Sequence, residues 1–265
     1  MKRLLMIVSL IVVILALVFM VMFAAGQSKG KKAFNKGYLK EAEQAFSGGD
    51  YLKARALYKQ TEEATNDTEQ LKEIQKRIED INIKIIFSPV MDKCSVTYTV
   101  KPGDSLEKIA KEHKTTIGLI KRANNLTSDI IRPAQELKIE TCKFSIVVDK
   151  SQNLLFLKTG DEIIKTYVVS TGKNNSTPVG VFKIINKEIN PTWFKTGAVI
   201  PSGSPENILG TRWMGIEKKG YGIHGTTEPE QLGKQVTLGC VRMKNEEVEE
   251  LYDIVPTGTE VTIID

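Results

Sequence analysis

Two side chains near the C-terminal end could do covalent chemistry. Cys240 lies in Thr237-Leu238-Gly239-Cys240-Val241-Arg242-Met243, and His224 in Tyr221-Gly222-Ile223-His224-Gly225-Thr226. A cysteine near its free pKa of about 8.5 is only a few per cent thiolate at neutral pH, so a useful nucleophile needs an imidazole or a helix terminus beside it. Of the two histidines, His113 and His224, only His224 shares a module with Cys240. They are 240 minus 224, or sixteen, positions apart, which suits neighbouring strands joined by a loop. Gly225 and Gly239 allow close backbone approach, and the amides around Leu238, Gly239 and Cys240 could stabilise an oxyanion. Arg242, two residues on, shares a strand face with Cys240 and could grip a carboxylate bidentately. An inert buried thiol is the ordinary state of a cysteine in a β-rich core. The conjunction of a Gly-bracketed Cys, a Gly-flanked His and a cation favours acyl transfer, with Cys240 as nucleophile and His224 as base.

The surrounding text is mainly β. Phe144 to Val148, Leu154 to Leu157, Ile163 to Val169, Gly180 to Ile185, Met214 to Ile216 and Val261 to Ile264 are short apolar or β-branched runs separated by turn residues. One helix is expected near the end. Asn245 would cap it, Glu246 and Glu247 fill its first turn, and Val248, Leu251, Tyr252 and Val255 form its buried stripe.

The chain has 265 residues, room for two or three modules, and a formal charge of +5 spread over short Lys clusters. That distribution gives no support to a nucleic-acid partner. Three cysteines, Cys94, Cys142 and Cys240, are too few for a disulfide scaffold and match no zinc spacing, so neither a metal nor a cofactor is expected. Leu4 to Ala25 carries no charge and as a helix would reach roughly 33 Å, enough for a bilayer core of about 30 Å. A cleaved signal peptide has a shorter apolar region of about 7 to 15 residues, so residues 1–26 read as a membrane anchor. Lys29, Lys31, Lys32 and Lys36 follow the span and by themselves argue against a cytoplasmic N-terminus.

Residues 33–87 read as a helical hairpin or stalk broken at Gly48-Gly49-Asp50. The Gly-Asp-Tyr with Ala54 and Tyr58 resembles half of a tetratricopeptide hairpin, a weak signal in a single copy. Leu71, Ile74, Ile78, Ile81 and Ile85 form a short heptad stripe.

Residues 95–141 have the order strand, helix, helix, strand. Val96, Tyr98 and Val100 alternate; Asp104 with Glu107 makes a capping box for a helix carrying Leu106, Ile109 and Ala110; a second helix follows from Thr116. This unit resembles a LysM domain, on Tyr98-Thr99-Val100-Lys101-Pro102-Gly103-Asp104-Ser105-Leu106, Ile109-Ala110, Ile120 and Asn124-Asn125-Leu126. The resemblance implies binding of N-acetylglucosamine-containing glycan, usually peptidoglycan, by Gly103, Asp104, Ser105 and Leu106 on one loop and Asp129, Ile130 and Ile131 on another. His113 falls on the exposed end of the first helix and reads as a solvated residue. Cys94 precedes the first strand and Cys142 follows the second, so antiparallel pairing would bring them within disulfide reach. A bridge needs an oxidising compartment, which puts everything after the anchor on the extracytoplasmic side of a bacterial envelope.

From about Phe144 to Asp265 the sequence resembles the L,D-transpeptidase (YkuD-type) catalytic domain. The carrying motifs are Ser170-Thr171-Gly172, Ser176-Thr177-Pro178-Val179-Gly180-Val181-Phe182 and the His224 and Cys240 motifs. The resemblance implies a mostly β domain over 143–265 in which Cys240 attacks the stem tetrapeptide between its diamino acid and terminal D-alanine. The thioester then passes to an amine of a neighbouring stem, linking two third-position residues. It further implies that the Gly225 carbonyl sets the His224 tautomer, that Thr237, Arg242 and Tyr221 line the substrate groove, and that carbapenems acylate Cys240. Leu238 stands where family members often carry His, which alters the rim. Expected overall is a multidomain chain: membrane anchor, short helical region, small α+β (βααβ) LysM module and mainly-β catalytic domain. An L,D-carboxypeptidase or cross-link hydrolase would use the same thioester, and an inactive wall-binding scaffold is the reading from a different class.

Overall fold

The computed structural model describes residues 37–195 and 197–265. The expected anchor, residues 1–26, lies outside them; among the described residues no helix is long and apolar enough to cross a membrane. The chain divides into two compact units at Ile81/Asn82.

In the first unit a helix covering 37–47 (α1) turns at Gly49, φ +79°, into α2 (Tyr51–Ala64). Gly49 suits that left-handed position, and Asp50 caps α2 by accepting from the Lys53 amide. Ala54, Leu57 and Tyr58 are buried, and the Tyr58 hydroxyl donates to Glu43 at 2.6 Å. The third helix, α3 (Thr68–Ile86), buries the predicted Ile74, Ile78, Ile81 and Ile85. Its last turn belongs to the second unit, where Ile83 and Ile86 enter the main core. Burial of these two isoleucines makes the final turn of α3 part of the second unit.

The second unit continues with the LysM segment. Strands β1 (Ser95–Thr99) and β2 (Glu136–Glu140) pair antiparallel, with Ser95 opposite Glu140. Between them lie α4 (Leu106–Glu112) and α5 (Ile117–Ala123), closing over Val100, Leu106, Ile109, Ile120, Leu137 and Ile139. Cys94 and Cys142 are disulfide-bonded, with Cα atoms 4.9 Å apart. The cap of α4 is Ser105, whose side chain accepts from the Lys108 amide, rather than the predicted Asp104. Asp104 is turned back to accept from the Lys101 amide and the Tyr98 hydroxyl, both at 2.8 Å.

The catalytic module is built on an eight-stranded mixed sheet, with β3 (Phe144–Asp149), β4 (Leu154–Thr159), β5 (Glu162–Val168), β7 (Gly180–Ile189), β10 (Arg212–Ile216), β11 (Gly222–His224), β13 (Val241–Arg242) and β14 (Glu260–Ile264) in the order β13-β11-β10-β7-β14-β3-β4-β5. Two short pairs flank it, β6 (Thr171–Gly172) with β12 (Gln235–Thr237) and β8 (Trp193–Lys195) with β9 (Ala198–Ile200). Helix α6 (Asn245–Ile254) buries Val248, Leu251 and Ile254 against the sheet. Its N-cap is Lys244 and makes no side-chain cap bond; Asn245, predicted as the cap, points elsewhere. LysM and catalytic segments are packed together: Arg122 of α5 pairs with Asp253 of α6 at 3.2 Å, and the Thr116 hydroxyl donates to the Asp253 carbonyl.

Candidate active site

Strands β11 and β13 are parallel neighbours, with Ile223 opposite Val241 and His224 opposite Arg242. The predicted sixteen-residue connection thus returns the chain alongside itself. Cys240 stands one residue before β13 and is half-buried; its thiol donates to the Gly220 carbonyl at 3.6 Å.

Thr237 locks the nucleophile's backbone. Its hydroxyl donates to the Cys240 carbonyl at 2.7 Å and accepts from the Gly239 amide at 3.1 Å. Gly239 has φ +135°, and a Cβ on it would meet the Tyr221 ring at 2.5 Å. Thr237 is 4% exposed, its hydroxyl holding the Cys240 carbonyl. The Gly239 amide donates to that hydroxyl. Tyr221 is half-buried, its ring packed over Gly239.

His224 is 3% exposed, and its Nδ1 donates to the Gly225 carbonyl at 2.7 Å, leaving Nε2 as the basic nitrogen. Trp213 of β10 stacks on the imidazole at 5.8 Å between centroids. Burial pushes the His224 pKa down to about 4; the Gly225 and Leu209 carbonyls oppose this and the Arg242 charge reinforces it. The imidazole is therefore neutral at pH 7. Burial also pushes the Cys240 thiol up, against a backbone hydrogen bond from Gly222 and the Arg242 charge, which pull it down. The resting pair is a neutral thiol and a neutral imidazole.

Arg242 is 5% exposed. Its guanidinium donates to Glu228 at 2.7 Å and Gln231 at 3.2 Å, and its backbone bridges Ser170 in both directions. The segment carrying Glu228 roofs the side chain and sets a carboxylate against it. Leu238, 76% exposed, forms the rim.

Sequence reasoning missed Trp213, Glu228 and the role of Asn245. Asn245 Oδ1 accepts from the amides of Thr211 and Thr226 and its Nδ2 donates to the Thr226 carbonyl, joining the end of β11 to β10. An Asn at a helix start reads as a cap, and nothing local distinguishes this use.

In the LysM segment, Leu106 is 2% exposed, Ser105 is exposed with its hydroxyl accepting from the Lys108 amide, and the Asp104 carboxylate is turned inward. The Lys101 amide, the Tyr98 hydroxyl and Lys108 hold that carboxylate well below the usual range. Gly103, φ +84°, opens onto solvent. Asp129 pairs with Lys121 at 2.5 Å, Ile131 packs on the module's core, and Ile130 is 78% exposed. His113, expected in solvent, is half-buried with its ring edge-on to Tyr98 at 5.3 Å. Among the described residues no group of three or more His, Cys, Asp or Glu could hold a metal ion.

The family model for the L,D-transpeptidase catalytic domain matches residues 143–263, and that for the LysM domain matches residues 98–140. A Bacillus licheniformis protein named as an L,D-transpeptidase, YkuD, is 37% identical over 174 residues, 63% of this chain and 97% of that one. The Bacillus subtilis protein YqjB, named likewise, is 42% identical over 126 residues, 45% of this chain and 70% of that one. Among solved structures, the catalytic domain of the E. faecium L,D-transpeptidase is 27% identical, with a TM-score of 0.39, over 46% of this chain and 97% of that chain.

Proposed function

The chain belongs to the YkuD family of L,D-transpeptidases and carries an N-terminal LysM domain, and from that premise we propose a peptidoglycan cross-linking enzyme that works through a Cys240 thioester. His224 Nε2 takes the thiol proton, and the thiolate attacks the carbonyl between the third and fourth residues of a stem tetrapeptide. The tetrahedral oxyanion collapses, the C–N bond breaks, and His224 returns its proton to the departing D-alanine amine. A neighbouring stem's amine then attacks the thioester, releases the thiol and completes the cross-link.

The observation that carries this reading is the Thr237 lock on Gly239 and Cys240, immediately before the strand that runs parallel to the one carrying His224. A fixed nucleophile and a proton-free base are what the first step needs. Arg242 acts here as a positioning residue through Glu228. The LysM module, docked on α6, would hold the enzyme on glycan and raise its concentration at stem peptides. The domains suggest association with the cell wall. Residues 1–26 would anchor the chain to the membrane with the rest outside. Incubation of the purified chain with disaccharide tetrapeptide, followed by mass spectrometry, tests the reading. Cross-linked dimer is expected; tripeptide alone would make it a carboxypeptidase, and no product a scaffold.

A further inference from the structure

A cavity of about 800 Å³ opens between the LysM segment and the catalytic domain, and it shares no lining residue with the Cys240 site. Its size falls within the roughly 300–1,000 Å³ of small-molecule sites, which favour domain junctions. The wall is strongly cationic. Lys111 comes from the last turn of α4, Lys114 from the turn after it, Lys143 from the connection between modules and Lys187 from β7, while Glu107 is the one acid among the lining residues. Lys187 is already engaged, donating to the carbonyls of Tyr252 and Val255 at 2.6 and 2.8 Å. Lys111, Lys114 and Lys143 are exposed and, among the described residues, make no ion pair.

We propose that this cavity binds a phosphate group carried on an extended ligand, a phosphodiester-linked chain rather than a free ion. Three lysine point charges with no arginine fork suit phosphate oxygens better than a planar carboxylate. The volume exceeds what one phosphate fills. A ligand here touches both modules and so fastens the LysM segment to the catalytic domain, stabilising their junction by mass action.

Calorimetric titration of the full chain, kept in neutral detergent, tests this with three probes: inorganic phosphate, a defined glycerol-phosphate oligomer and oligoglutamate. The oligomer is expected to bind most tightly, with affinity falling as salt rises. Replacing all three free lysines (Lys111→Gln, Lys114→Gln, Lys143→Gln) should weaken it roughly tenfold or more, on the scale of three exposed charge contacts. Glu107→Gln should tighten it, while neither variant alters stem-peptide turnover. Equal binding of inorganic phosphate would overturn the extended ligand, and tighter binding of oligoglutamate would overturn the phosphate. Absence of binding, or binding indifferent to the lysine variants, would overturn the site.

Discussion

The ring of Tyr221 occupies the space that a side chain on Gly239 would need. Tyr221 stands just before β11 and Gly239 shortly before β13, and the glycine also holds a φ of +135°. Gly239→Ala should therefore strain the backbone and push on the ring together, destabilising the fold by about 2 kcal/mol. Displacing Cys240 by even an ångström should lower turnover roughly a hundredfold. Adding Tyr221→Ala should recover part of the melting temperature and little of the turnover, because the φ strain remains. Thermal melts and steady-state rates of the single and double variants check this.

Because burial raises the Cys240 thiol and keeps His224 neutral, the resting enzyme should react as a thiol rather than an ion pair. Iodoacetamide alkylation of Cys240 should rise about tenfold per pH unit from roughly pH 6 to 8. A rate already at its plateau at neutral pH would refute this assignment. Carbapenem should add to the wild type by intact-mass measurement and leave Cys240→Ala unmodified.

His224 also leaves a mark on stability. Its pKa is about 4 folded against an ordinary 6.5, so between those values the unfolded chain binds the extra proton. Stability from this group is complete above about pH 6.5 and is lost as pH falls towards about 4, by about 3 kcal/mol. Denaturant melts of wild type and His224→Asn across this window should differ in slope, the variant being flatter. Equal slopes would mean that the folded imidazole titrates normally.

The Cys94 to Cys142 bridge closes a loop with a sequence separation of 48 residues, worth about 4 kcal/mol by the chain-entropy account. Replacing both cysteines with alanine should lower the LysM melting transition and leave Cys240 the single titratable thiol. Three titratable thiols in native, unreduced wild type would contradict the bond.

Much of this was legible in the sequence because the signals are local. Short apolar or β-branched runs located six of the eight strands of the large sheet, Gly48-Gly49-Asp50 the first helical turn, and the glycine-bracketed Cys240 and His224 motifs the chemistry. These arise from neighbouring residues and survive any tertiary arrangement. The partnerships did not: Thr237 and Arg242 read as substrate contacts, and Asn245 and Asp104 as helix caps, because each residue type has those uses at those positions. Only the parallel pairing of β11 with β13 and the crossing of separate segments decided that Arg242 meets Glu228 and that Asn245 joins two strands. A buried hydrogen bond takes whichever partner the fold brings closest, and sequence distance carries no record of that choice.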